Sequence, residues 1–170
     1  MNKQKIKILA AVGFGVLALA FCLSASTGVP PISEVNLESE SWQTPEGWVG
    51  PAIIWVDGVK YEGTILYNAE GKMNKNNWHG TETHWYDFGD LGTFGLSGTA
   101  KTSFDYVTPE HRWHYYTSHV SITDGTGAFA EAHGVFQIGG YTDWHMPPFP
   151  PDGYAWCGAT AMIVGIQLPE

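Results

Sequence analysis

The chain has few basic residues and an excess of acidic ones. Its 170 residues include 8 Lys or Arg and 17 Asp or Glu, which gives a formal net charge of −9 at pH 7. Nucleic-acid binding depends on cations that neutralise phosphates, and an anionic membrane surface repels an acidic protein. The composition therefore predicts no nucleic-acid partner and no attachment of the folded domain to a charged membrane surface.

Cysteine is almost absent. The two cysteines are Cys22, inside the apolar N-terminal run, and Cys157. If that run is removed, Cys157 has no partner and an internal disulfide is excluded. The domain must then be stabilised by its own core, for which the aromatic residues, 14% of the chain, supply the area. Cys157 itself is expected to be a small buried side chain rather than a nucleophile.

The first residues have the pattern of a targeting segment. Lys3, Lys5 and Lys7 precede an uncharged apolar run, Ile8–Leu23, and small residues follow it. The run of roughly 16 residues is shorter than the ~20 that a spanning helix needs. We therefore interpret residues 1–26 as a signal peptide, with a retained membrane anchor as the alternative. Loss of the three lysines takes the net charge from −9 to about −12.

This N-terminal segment predicts an exported protein, which is secreted, periplasmic or held at the cell surface. A third outcome is acylation at Cys22, although Phe21 stands where a lipoprotein site has a small residue. The expected membrane contact is therefore limited to the N-terminal segment.

No part of the chain after residue 45 carries the apolar stripe of a helix. Short runs of β-branched and aromatic residues alternate with Gly, Asn and Asp, which is typical of strands and turns. The predicted strands are Trp48–Val56, Val59–Tyr67, Trp78–Phe88, Gly92–Tyr106, Trp113–Thr123, Ala130–Ile138 and Trp156–Leu168. Residues 27–45, rich in Ser, Glu and Pro, are predicted to be a flexible arm, and residues 46–170 the folded domain.

Turns and glycines indicate how these strands are arranged. Asp57-Gly58 is the residue pair of a type I′ hairpin, and glycines inside the strands suit a strongly coiled sheet. Because closure leaves no exposed edge strand, we predict an all-β fold, a closed antiparallel barrel of about eight strands. A sandwich is the alternative. The four prolines within Tyr141–Gly153 predict a long loop that could lie over a barrel mouth.

One segment, Ile122–Phe136, resembles a known family. It follows the pattern I-x-G-G-T-G-x-F-x-x-A-x-G of the allene oxide cyclase/dirigent-like β-barrel proteins, with Asp124 where the family often has Gly. The matching positions are Gly125, Thr126, Gly127, Phe129, Ala132 and Gly134. We interpret them as structural, because glycines permit positive φ in a tight turn or a close strand approach. Phe129 is expected to fill the barrel floor.

The resemblance implies a calycin-like barrel of eight antiparallel strands around an apolar cavity. Relatives bind reactive hydrophobic molecules there, and some steer a cyclisation or radical coupling by shaping the ligand and excluding water. They are often dimers or trimers, so a homo-oligomer is left open. The family's catalytic acids and arginines lie outside the matching segment and cannot be carried over onto this sequence.

The strand Trp78–Phe88 offers candidate acid–base chemistry. Its alternation puts Glu82, His84 and Tyr86 on one face, together with Trp78. If that face lines a cavity, Glu82 or His84 can act as the acid or base, and Tyr86 contacts the ligand. The alternative is a polar face turned toward solvent.

The run from His111 to Tyr116 supplies the second candidate group. Arg112 could orient a ligand carboxylate or enolate, or could instead pair with an acidic residue. His114 and Tyr116 share a strand face and are predicted ligand contacts, as is Trp144 near the proline-rich segment. The seven histidines form no H-x-H, HExxH or Cys/His motif, so neither a metal nor a cofactor is predicted.

Three functions remain open at this point. The first is binding of a small hydrophobic molecule in the lumen, and the second is a cyclase or isomerase on the same barrel. The third is an aromatic surface that adheres to a glycan or a protein. Converging buried polar groups in a cavity would favour catalysis, an apolar lining would favour binding, and a filled lumen with exposed aromatics would favour adhesion.

Overall fold

The protein is described from a computed structural model. The structure describes residues 29–74, 77–108, 111–145 and 153–169. The predicted signal segment, residues 1–26, lies outside the described residues. No helix in the described ranges has the length and apolar character needed to cross a membrane.

In this part of the chain, eight strands form a closed antiparallel barrel. They are β1 (Ile32–Thr44), β2 (Gly47–Val56), β3 (Val59–Asn74), β4 (Asn77–Asp87), β5 (Thr93–Val107), β6 (His111–Gly125), β7 (Val135–His145) and β8 (Gly153–Val164). Each strand pairs with the next, and β8 pairs with β1, so that Val35 lies between Val56 and Ala161. The predicted all-β closed barrel is therefore confirmed.

Alternation of side chains builds the core. In β4, Glu82, His84 and Tyr86 point inward and are buried, whereas Thr83 and Trp85 point outward. Burial also alternates along β1 and most of β8, and the buried residues form one core inside the cylinder. This result excludes the solvent-facing alternative for the Glu82 face.

A plug of aromatic side chains closes one end of the barrel. Phe129 lies in the 3₁₀ turn between β6 and β7, and its ring contacts Phe94 at 4.8 Å and Phe88 at 6.1 Å between centroids. Phe94 in turn stacks near Phe136 at 6.5 Å. Phe129 is only 1% exposed, so its predicted place in the barrel floor is confirmed. We call this end the closed end.

Two turns at the closed end test the predicted glycine roles. Asp57 and Gly58 have φ of 50° and 82°, as a type I′ hairpin requires. Gly127 has φ of 57°, as predicted. The prediction of positive φ at Gly125 is wrong; glycine is needed there because a Cβ would collide with the backbone carbonyl of Phe129.

The predicted flexible arm is wrong over most of its length. Ile32–Thr44 is strand β1, and it completes the cylinder by pairing with both β2 and β8. Its buried positions are Val35 and Leu37 together with the small polar residues Ser33, Ser39 and Ser41. Apolar character therefore does not alternate along this strand, although burial does.

The predicted loop Tyr141–Gly153 is also partly wrong. Tyr141–His145 pairs with β6 as the last part of β7, and Gly153 begins β8. The four prolines between them lie outside the described residues. Strand pairing therefore extends at least to His145, which is closer to the prolines than the sequence suggested.

Candidate functional site

A cavity lies at the end of the barrel opposite the plug. We call this end, at which β1, β3, β5 and β7 end, the mouth. The mouth cavity has a volume of about 500 Å³, within the range of small-molecule sites. Its lining residues are Gln43, Trp48, Tyr67, Ala69, Met73, Trp78, Thr102, Arg112, His114, Tyr116 and Thr142.

The two walls of the mouth cavity differ in chemistry. Strands β2, β3 and β4 contribute Trp48, Ala69, Met73 and Trp78, which form an apolar wall. Strands β5, β6 and β7 contribute hydrogen-bond donors, which form a donor wall: Thr102, Arg112, His114, Tyr116 and Thr142. A molecule in the cavity would therefore meet apolar groups on one side and donors on the other.

Strand β6 supplies the centre of the donor wall. Arg112, His114 and Tyr116 are alternate residues that point inward, so they form a ladder from the mouth toward the barrel centre. The sequence predicted that His114 and Tyr116 share a face, and the structure places both on the cavity wall with Arg112. Arg112 is one of few cations in an acidic protein, and its guanidinium can bind a carboxylate through two parallel hydrogen bonds.

Tyr67 and Tyr116 form the floor of the mouth cavity. Each is 7% exposed. The Tyr67 ring lies 4.7 Å from the His84 ring and 6.4 Å from that of Trp48, which fixes its position. Burial is the main cause that raises the pKa of both phenols, and nearby acidic groups, Glu82 among them, add to it. The two hydroxyls therefore stay protonated and can donate to a ligand.

A buried acid–base pair lies directly beneath this floor. His84 Nε2 is 3.0 Å from Glu82 Oε1, and both side chains are almost completely buried. The other ring nitrogen, Nδ1, is 3.3 Å from the hydroxyl of Tyr86. Two titratable groups are thus held together within the barrel, behind a residue that lines the cavity.

The hydrogen bonding of this pair is incomplete. Within the described part of the chain, neither Glu82 oxygen nor His84 Nε2 makes an aligned hydrogen bond. His84 Nε2 nevertheless lies 3.0 Å from Glu82 Oε1, and the Tyr67 hydroxyl also lies near the carboxylate. Buried polar groups without partners are costly, which makes this pair a candidate functional element.

Cys157 belongs to the same polar layer. Its Sγ and Ser39 Oγ are hydrogen-bonded at 3.0 Å. Burial raises the pKa of the Cys157 thiol to about 11, despite opposing hydrogen bonds from Ser39 and Tyr86. The thiol therefore stays protonated at neutral pH, as expected for an inert buried cysteine.

The structure brings together only some of the predicted site residues. Arg112, His114 and Tyr116 line the mouth cavity, whereas Glu82, His84 and Tyr86 lie in the layer beneath it. Tyr86 is fully buried and is absent from the described lining, so its predicted direct ligand contact is not supported. The backbone of Trp144 pairs with Arg112 and Gly153, and its side chain lies outside the described part. The predicted turn residues lie at the closed end.

Sequence reasoning missed most of the apolar wall and one of the two tyrosines of the floor. Trp78 was placed on the same face as Glu82 but was not recognised as a cavity residue, and Tyr67 was predicted only as the end of a strand. Gln43 lies in the segment taken for an arm, and Thr142 in the segment taken for a loop. The sequence alone does not show which residues meet in the cavity, because the described lining combines residues from seven strands, β1 to β7.

Comparisons with known proteins leave the family open. No family model matches the sequence, and no match was found among curated proteins. The resemblance to allene oxide cyclase/dirigent-like proteins therefore stays a prediction. Among the described residues, no three His, Cys, Asp or Glu side chains converge as metal ligands.

Proposed function

We propose that the protein binds a small hydrophobic molecule that carries an acidic or carbonyl oxygen, in the mouth cavity. The observation that supports this proposal is the division of the cavity into an apolar wall and a donor wall. The apolar body of the ligand lies against Trp48, Met73 and Trp78. Its oxygen faces the donor wall, where Arg112 and Tyr116 can donate hydrogen bonds.

The charge distribution favours a ligand of this kind. The chain as a whole is strongly acidic, yet the described lining of the cavity contains an arginine and no Asp or Glu. An anionic group is repelled by most of the surface and attracted to this one wall. We also infer export, which rests on the N-terminal sequence pattern alone.

A matched pair of fluorescent probes tests the proposal. 8-Anilinonaphthalene-1-sulfonate carries an anionic sulfonate, and N-phenyl-1-naphthylamine has the same body without it. We expect the folded protein to bind both, with the anionic probe bound about tenfold more tightly. Arg112→Gln should remove most of that preference while it leaves binding of the neutral probe nearly unchanged.

Two tryptophan substitutions locate the probe. Ala69→Trp places a large ring in the mouth cavity and should abolish binding of both probes. Ala130→Trp makes the same change at an exposed position of the closed end and should have no effect. Circular dichroism establishes that both variants are folded. Equal probe binding by Ala69→Trp and the unchanged protein would refute the proposal.

The Glu82–His84 pair favours a second candidate function, an isomerase or cyclase that acts on the bound molecule. Tyr67 would contact the substrate. Glu82 and His84, beneath the cavity floor, would determine the hydrogen bonding of the Tyr67 hydroxyl. In that case Glu82→Gln should lower turnover without weakening binding of either probe. If Glu82→Gln instead weakens probe binding, the Glu82–His84 pair maintains the shape of the cavity and does not act in catalysis.

A further inference from the structure

A second surface of the barrel, separate from the mouth cavity, carries a cluster of aromatic rings on its outer wall. Five outward-pointing residues from four neighbouring strands form it, and we call it the aromatic platform: Trp42 of β1, Tyr154 and Trp156 of β8, Tyr141 of β7 and Tyr115 of β6. Outer faces of water-exposed barrels are normally polar, so a continuous aromatic cluster there indicates a contact surface.

The rings of the aromatic platform touch one another in an unbroken chain. The centroid of Tyr141 lies 6.0 Å from that of Tyr115, 5.9 Å from that of Tyr154 and 6.1 Å from that of Trp156. Trp42 extends the chain through Tyr154 at 5.7 Å. Trp42 and Tyr115 remain 47% and 43% exposed, so the chain of rings presents a broad face to solvent.

Glycines keep this face shallow. Gly158 and Gly139 pair directly across β8 and β7, next to the rings and further from the mouth. A Cβ at Gly158 would lie 3.2 Å from the Trp156 ring, so this ring lies close over the strand backbone. Nothing lies within 4 Å of the Cβ position of Gly139. The platform therefore continues into an open shelf that a flat ligand could cover.

Carboxylates border the aromatic platform. Glu40 pairs across the ladder with Trp156, and Glu38 pairs with Gly158. On the other side Asp143 pairs with Tyr154 and is bound to His111 at 2.9 Å. Carboxylates accept hydrogen bonds and cannot donate them. The rim therefore complements a ligand rich in hydroxyl donors.

These features distinguish between the classes of partner. An anionic lipid or an acidic polymer would be repelled by the carboxylate rim and by the net charge of the chain. A second copy of this acidic chain would be repelled for the same reason. A neutral sugar chain presents C–H faces that can stack on aromatic rings and hydroxyls that can donate to carboxylates.

We propose that the aromatic platform is a binding site for a neutral glycan, with sugar rings stacked on Trp42, Tyr154 and Trp156 and hydroxyls donated to Glu40. This site is independent of the mouth cavity and of the ligand proposed for it. The protein then has two binding surfaces on one barrel, an internal one for a small molecule and an external one for a polysaccharide.

A matched pair of tryptophan variants tests the site. Trp42 is 47% exposed on the platform, and Trp85 is 41% exposed on the outer face of β4, away from it. The probes are neutral hexasaccharides of glucose, xylose, mannose and N-acetylglucosamine, with an oligogalacturonate as the acidic comparison, measured by isothermal titration calorimetry on the full chain. We expect binding of at least one neutral probe, about tenfold weaker for Trp42→Ala, and unchanged for Trp85→Ala.

Other outcomes overturn the proposal. No binding of any neutral hexasaccharide, or preferential binding of the acidic one, would contradict it. A dimer that Trp42→Ala dissociates would make the platform a self-association surface. Binding to phosphatidylcholine vesicles that Trp42→Ala abolishes would make it a membrane surface. Ala69→Trp blocks only the mouth cavity. Glycan binding by this variant therefore tests the aromatic platform separately from the proposed small-molecule site.

Discussion

The closed end and the mouth of the barrel follow the same alternation of inward and outward residues but differ in what the inward residues are. At the closed end these residues are large and apolar, and the turn between β6 and β7 adds Phe129 as a plug. At the mouth they include Arg112, His114 and Thr142, and no plug is seen in the described residues. The packed end is expected to supply most of the stability, and the other end holds the cavity in which we propose that a ligand binds.

The largest expected effect comes from removing the plug. Phe129→Ala should lower the free energy of unfolding by about 4 kcal/mol, because it leaves a cavity among close-packed rings. Met73→Ala, which removes a large side chain from the mouth, should cost under about 1 kcal/mol, since Met73 is 42% exposed. Guanidinium denaturation followed by circular dichroism measures both. Equal losses would show that stability is not concentrated at the closed end.

The buried pair between the two ends should give the next largest effect. His84→Leu leaves the Glu82 carboxylate buried beside an apolar group and should cost about 3 kcal/mol. The double variant Glu82→Leu/His84→Leu removes both groups and should recover most of that loss. Urea denaturation of the two variants measures the recovery. A double variant less stable than His84→Leu would show that the Glu82–His84 pair makes a net favourable contribution to the free energy of unfolding.

The smallest expected effect is a loss of stability in mild alkali, about 2 kcal/mol between pH 8.5 and 10. The folded pKa of the Cys157 thiol is raised to about 11, so this thiol keeps its proton where the unfolded thiol loses it, above its ordinary pKa of about 8.5. Below pH 8.5 the contribution of this thiol to the free energy of unfolding is fully present. It falls by about 1.4 kcal/mol per pH unit as the pH rises toward 11. The buried phenols of Tyr67, Tyr86 and Tyr116 add to the loss above about pH 10.

Denaturation at several pH values between 8 and 10 checks this dependence. Cys157→Ala should flatten the stability curve between pH 8.5 and 10, because the group that loses its proton in the unfolded state is gone. An unchanged slope in Cys157→Ala would mean that the thiol is not protected from ionisation in the folded barrel.

The sequence predicted the closed end better than the mouth. The turn at Asp57-Gly58 follows from a local rule, because positive φ has few structural solutions. The place of Phe129 was predicted from the segment that carries the family resemblance. Strand β1 was missed because only Val35 and Leu37 among its inward residues are apolar. Its alternation of Ser and Glu was visible in the sequence, but it does not resemble the hydrophobic alternation of a core strand.

The candidate site was predicted strand by strand but not as a whole. The shared faces of Glu82 with His84, and of His114 with Tyr116, follow from the period of two. The sequence could not show how deep each pair lies. His114 and Tyr116 line the cavity, whereas Glu82 and His84 lie beneath its floor, with His84 opposite Tyr67 in the ladder. Register across a barrel depends on all the strand pairings together and not on any single strand.

The most direct test of the central claim is native mass spectrometry of the full chain after incubation with a panel of small hydrophobic carboxylic acids. We expect a one-to-one adduct with at least one acid, absent from Ala69→Trp and retained by Ala130→Trp. Failure of every acid to form an adduct, or an equal adduct on Ala69→Trp, would contradict a ligand site in the mouth cavity.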